Sequence, residues 1–280
     1  MSARRGFTLV ELLVAMVITS IVGVAVTKLF LSQARFYDLQ SQMRRARFVS
    51  RTAVNAALSD LRMVEPTGGV VSVSPTTVTL RVPYAIGIVC ANGATQTTLS
   101  LWPVDSTVYA TAGFSGYAWR DTLGAYTYLE TGTSVVADNA SVCTAANVTV
   151  LPNGRVVAVK PALPASLPAA VAVGTPVFLF QRLTYAFLAS TAMPGRTGLW
   201  RTVVGTAQSD ELVAPFDTSA KFRFFVVGAD TAQSAAPSPL SNVRGLELDF
   251  NSQSDRAAEG TAALRQASAV TAVFFNNQLK

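Results

Sequence analysis

The side chain in this sequence whose surroundings most demand a chemical explanation is an acid inside an oily run. Glu11 is the single ionisable group between Phe7 and Thr27, in the stretch FTLVELLVAMVITSIVGVAVT. A carboxylate in such a span costs a few kcal/mol on insertion scales unless it is neutral or paired, so Glu11 calls for a positive partner. The nearest is an α-amino group. A cut after Gly6 would make Phe7 the first residue, with its amine four positions from Glu11, and the amine of a neighbouring copy could reach the same carboxylate.

Other constellations offer little. There is no histidine, which removes the commonest general base, the commonest zinc ligand and every Ser-His or Cys-His nucleophile pair. Asp217-Thr218-Ser219 and Asp230-Thr231-Ala232 share the Asp-Thr pair of aspartic-protease triplets, but both lack the following glycine and they lie close together; they read as turns. Gly113-Phe114-Ser115-Gly116 lacks the second spacer of a nucleophile elbow and reads as a loop. Asp249, Asn251, Gln253 and Asp255 alternate oxygen side chains, without the glycine and glutamate of a calcium loop. The expectation is a protein without catalysis, cofactor or metal. Cys90 and Cys143 make at most one disulfide, and in an exported head a disulfide is the expected state; closing that separation stabilises by roughly 4 kcal/mol in the chain-entropy model.

The element that must position Glu11 is a helix. Phe7 to Thr27 would span roughly 30 Å, the thickness of a bilayer's hydrocarbon. Arg4 and Arg5 precede it, which places the N-terminus in the cytoplasm and everything after Lys28 across the membrane. The pattern then continues, with Phe36, Leu39, Met43, Ala46, Ser50, Ala53, Ala57 and Leu61 at three- and four-residue spacings forming one amphipathic face. Glu65-Pro66 and Gly68-Gly69 end it, so the helix is expected from Phe7 to about Leu61, roughly 80 Å.

Charge separates this segment from the rest. Residues 28–62 carry seven basic groups against Asp38 and Asp60, a net of +5, whereas residues 63–280 carry thirteen of each sign. The large C-terminal part therefore has no net field with which to hold nucleic acid. Arg44, Arg47 and Arg51 share one edge of the apolar face, with Asp38 and Asp60 on the opposite edge. They are open to reading as a solvated flank, as cross-subunit ion pairs, or as phosphate contacts with lipid or DNA. DNA fits least, since no aromatics interleave the arginines.

Beyond residue 69 the period changes to short β-branched and aromatic runs separated by turn residues. Strands are expected at Val70–Val73, Thr77–Val82, Thr98–Trp102, Tyr126–Glu130, Val156–Val159, Pro176–Arg182, Leu183–Ala189, Leu199–Val204, Phe222–Val227, Val243–Phe250 and Ala269–Phe275. The intervening Lys160–Pro176, Ala229–Asn242 and Asn251–Ser268 read as long loops.

The run Arg4-Arg5-Gly6-Phe7-Thr8-Leu9-Val10-Glu11-Leu12-Leu13-Val14 resembles the class III signal of type IV prepilins and type II secretion pseudopilins. The resemblance implies cleavage after Gly6 by the prepilin peptidase, N-methylation of Phe7, and an assembly role for Glu11, which would neutralise the terminal amine of an adjacent subunit. The family's mid-helix proline is absent; Gly23, near Thr19 and Ser20, is the weak point. The order LTYAFL, GLWRTVV, KFRFFVVG, VRGLELDF and VTAVFFNNQ is similar to PilW-type minor pilins and to the J-type pseudopilin, while residues 93–174 match neither.

An α+β chain is therefore expected: leader peptide 1–6, membrane-spanning and filament-core helix 7–31, amphipathic stalk 32–66 and antiparallel β-rich head 67–280. The implied role is a low-copy minor pilin at the tip or initiation of a type IV pilus, with a J-type minor pseudopilin as alternative and a membrane-tethered adhesin as the rival of another class. The implied partners are the prepilin peptidase, other major and minor pilins or pseudopilins, the inner membrane and its assembly platform, with inter-subunit charges possible at Arg44, Arg47 and Arg51. No small-molecule substrate is implied. The chain would sit once through the bacterial inner membrane before assembly, then in a pilus or pseudopilus with its head in the periplasm or at the cell surface.

Overall fold

The structure is a computed structural model that describes residues 8–65, 67–93, 95–120, 124–130, 133–136, 140–160 and 173–275. It shows the expected architecture of one long N-terminal helix followed by an antiparallel, β-rich head. The helix α1 runs Leu9–Leu61. The head contains β1 Val70–Val73, β2 Thr77–Asn92, β3 Thr97–Leu101, α2 Pro103–Tyr109, β4 Gly116–Arg120, β5 Tyr126–Glu130, β6 Thr133–Val136, α3 Ala140–Ala145, β7 Val156–Lys160, β8 Pro176–Ala189, β9 Thr197–Val203, β10 Ser209–Phe216, β11 Lys221–Val226, β12 Val243–Gln253 and β13 Gln266–Phe274.

Among the described residues these strands form one sheet, whose main path is β11-β12-β10-β9-β8-β2-β3-β7-β6, with β13 on β12, β1 on β2 and the β4–β5 pair against β8. The helix lies over β10, β12 and β13. Its buried face is Gln42, Ala46, Val49, Ser50, Ala53, Ala57 and Leu61, mostly small residues that let the sheet approach the helix backbone. At one point it touches it directly: the buried Ser252 hydroxyl donates to the Ala46 carbonyl at 2.6 Å. Beneath, Phe187, Phe216, Phe222 and Phe250 from four strands stack with centroids 5.3 to 5.9 Å apart. A second core, with Val89, Leu99, Tyr117, Trp119 and Leu179, fills the other end of the head.

Helix α1 ends where the sequence indicates. Gly69 follows because a Cβ there would lie 2.2 Å from the Glu65 carbonyl oxygen, and Gly68 adopts φ +77°, which favours glycine.

Several boundaries differ from expectation. Pro176–Arg182 and Leu183–Ala189 are a single strand, β8, because Pro176–Ala186 pairs across that division with β2 from Ile88 back to Thr77. Strand β2 itself continues past Val82: Pro83 brings no amide hydrogen, and the register shifts between Pro83 and Ala85 so that pairing resumes. Asn251–Gln253 belong to β12, paired with Gln266–Ser268, so the loop expected over Asn251–Ser268 is confined to 254–265. Strands β4, β6 and β10 and helices α2 and α3 were not expected from sequence. Gly113-Phe114-Ser115 is a loop, but Gly116 opens β4. Of the expected Lys160–Pro176 loop, residues 161–172 lie outside the described residues.

Candidate functional site

Thr8 caps α1, and three residues on Glu11 completes the cap. The Glu11 amide donates to Thr8 Oγ1 at 3.3 Å, while the Thr8 amide and hydroxyl donate to Glu11 Oε2 at 2.9 and 3.0 Å. This reciprocal arrangement is a capping box, which satisfies amides that the first turn of a helix leaves open. Its signature, a threonine three residues ahead of a glutamate before an apolar run, stands in the sequence beside the charge that makes Glu11 conspicuous. Both donors use Oε2; Oε1 has no hydrogen-bond partner among the described residues. One oxygen of the carboxylate thus orders the helix start and the other stays open to a donor from outside the chain. Gly6 and Phe7, the expected cleavage and methylation positions, lie outside the described residues, as do Arg4 and Arg5.

From Leu9 to Tyr37 every side chain of α1 is exposed, the apolar ones included. This is the one helix among the described residues long and apolar enough to cross a membrane. Between Leu9 and Thr27 the hydroxyls are satisfied internally: Thr19, Ser20 and Thr27 donate to the carbonyls of Ala15, Met16 and Gly23 one turn back, at 2.7 to 2.8 Å. No polar group of these side chains is left for lipid to solvate.

The stalk is fastened to the head by charge as well as packing. Asp38 accepts from the Glu259 amide at 2.8 Å and pairs with Arg256 at 2.6 Å; the Glu259 amide bond is the main reason its carboxyl titrates below the usual range. Arg45 pairs with Asp255 at 3.0 Å. Asp60 pairs with Arg201 at 2.9 Å and accepts from the Tyr185 hydroxyl at 2.5 Å. Burial, with the Asp60 charge beside it, pushes the Tyr185 hydroxyl far above its ordinary range and keeps it a donor. Arg44, Arg47 and Arg51 are exposed and make no ion pair among the described residues.

The remaining candidates are structural. Cys90 and Cys143 form a disulfide that ties β2 to α3. Asp217 sits in the turn between β10 and β11, where the Ser219 amide, above all, draws its carboxyl below the usual range and Gln253 donates at 2.6 Å. Ser115 accepts from the Arg182 amide. Asp249 and Asn251 bond to each other, and Asp255 is taken by Arg45.

A family model described as the prokaryotic N-terminal methylation motif matches residues 1–27. The match supports placing the chain among type IV pilin-like proteins and pseudopilins, and the motif implies processing by a prepilin peptidase and assembly with other pilins. The apolar helix is consistent with an inner-membrane anchor. No characterised protein and no solved structure matches the chain.

Proposed function

We propose that the chain is a minor pilin of a type IV pilus, made as a membrane-inserted precursor, cut after Gly6, methylated at Phe7 and assembled through its N-terminal helix as a low-copy tip or initiation component. What carries this reading is the coincidence, in one short segment, of the methylation motif with a bare apolar helix whose Glu11 keeps an unpartnered carboxylate oxygen. In the assembled state that oxygen accepts from the methylated amine of the adjacent subunit, which removes the cost of an unpaired acid in apolar surroundings. The large head favours a tip or initiation role, by analogy with pilins whose densely packed copies carry smaller heads. The protein contributes no catalytic turnover. A pseudopilin of the J type has the same signal, helix and β-rich head, and is distinguished by which filament takes the chain up.

Glu11 separates assembly from capping. Glutamine at the third helical position still completes a capping box but carries no charge, whereas alanine removes both. Glu11→Gln and Glu11→Ala are expected to insert normally into membranes and to be almost absent from sheared filaments. Wild-type incorporation of the glutamine variant would reduce Glu11 to a helix cap. Mass spectrometry of the mature protein is expected to find methylated Phe7 at its start; an intact Met1 would overturn the processing step.

A further inference from the structure

Beyond Glu11, both acids of α1 point into the head. Asp38 is taken by Arg256 and the Glu259 amide, and Asp60 by Arg201 and Tyr185. What the stalk shows to the outside is therefore purely basic: Arg44, Arg47 and Arg51 lie exposed along one edge, with no carboxylate partner among the described residues. In their midst Phe48 is 68% exposed. Beside it an open groove of about 560 Å³ runs between Arg44, Phe48 and Val49 of the helix and Val213 and Ala214 of β10. The charged part of its lining is Arg44, unpaired among the described residues, and the Arg45–Asp255 ion pair, while Arg47 and Arg51 lie on the helix edge beyond Phe48. An exposed aromatic beside an apolar groove, with unpaired arginines on the adjoining helix edge, has the anatomy of an anchor site with a charged rim.

Building on the assembly reading above, we infer that this face receives the acidic amphipathic stalk of a different subunit and rejects a second copy of this chain. Adjacent chains in which Glu11 meets a neighbour's Phe7 amine are offset by about four residues, roughly 6 Å, so their stalks run side by side over nearly their whole length. A neighbouring copy would thus set its own Arg44, Arg47 and Arg51 against these, with Asp38 and Asp60 already engaged and no further acid on α1 beyond Glu11 to offer. A stalk carrying carboxylates at matching three- and four-residue spacing turns the same encounter into attraction, and an apolar side chain beside them fills the groove next to Phe48. Lipid headgroups do not fit. The three arginines stand roughly 25 to 35 Å along the helix from Lys28, several times the screening length of about 8 Å at physiological salt.

The test uses the full-length chain in cells that make its filament partners. With Phe48 replaced by the photocrosslinking residue p-benzoylphenylalanine, irradiation is expected to join it to a helical peptide of another subunit bearing at least two acids three or four residues apart. Charge reversal at Arg44→Glu, Arg47→Glu and Arg51→Glu together is expected to lower that yield roughly tenfold while leaving the thermal melt of the head unchanged. Crosslinking to a copy of this chain, to lipid, to DNA or to nothing overturns the inference, as does a yield insensitive to the reversal. The assembly reading fails separately. A chain that enters filaments but crosslinks to itself preserves that reading and sinks this one; a chain left uncut and unassembled that still captures an acidic helix does the reverse.

Discussion

The two halves of α1 share one backbone and differ in everything that surrounds it. From Leu9 to Tyr37 the helix buries no side chain against its own chain, and its Leu, Val and Ile side chains stand exposed. From Asp38 to Leu61 every third or fourth residue is buried against β10, β12 and β13. Tertiary packing holds the second half, as it does most helices in water. The first half has only its internal hydrogen bonds, which suffice where no water competes for them. The contrast shows that the chain's apolar surplus is not evenly spread: half of this helix completes the head, and the other half is left for lipid or for other chains.

Truncating one leucine in each half tests that division. Leu61 is 2% exposed in the main core, so Leu61→Ala is expected to cost the head about 2–5 kcal/mol in denaturant unfolding of the full chain in detergent micelles. Leu13→Ala, at a side chain 53% exposed, should leave the head's unfolding unchanged. Equal losses would mean that the halves are not energetically separate. A smaller effect is expected from Asp60→Ala, which leaves the half-buried Arg201 and the buried Tyr185 hydroxyl without their acceptor and should cost about 1–3 kcal/mol by the same measurement. If it costs nothing, packing alone fixes the stalk.

The smallest effect is a pH dependence confined to the head and its clamps. Asp38 and Asp217 are both held below their ordinary range, chiefly by the amides of Glu259 and Ser219. A depressed carboxyl contributes stability above its unfolded pKa and loses it as pH falls through the folded value. The head should therefore melt earlier in acid below the usual carboxylate range, and Asp38→Asn should flatten that slope. A slope unchanged by Asp38→Asn would remove the charge clamp from the account.

Much of this was legible in the residues. The end of α1 at Leu61 follows from a periodicity that stops shortly before proline and two glycines, and the oddity of Glu11 is visible in composition alone. Local signals also found Val70–Val73 and Tyr126–Glu130 to the residue. Strand β10 carries no alternation to mark it, because it opens with exposed Ser209 and Asp210 and half-buried Glu211 and carries Pro215. The single long β8 was read as two because its continuity is set by β2, far away in sequence. The true work of Asp38 and Asp60 was hidden for the same reason. Their partners Arg256 and Arg201 lie 218 and 141 positions away, and no local pattern announces such a pairing.

The absence of proline from α1 and the direct Ser252-to-Ala46 bond have a mechanical meaning. Between the clamped stalk and Glu11 the helix is continuous, with Gly23 its one glycine, so it acts as a drive shaft. A twist of the head about this axis carries the carboxylate around by the same angle, roughly 75 Å from Leu61. Under the assembly proposed above, the direction the head faces sets the side from which a neighbour's amine reaches Glu11.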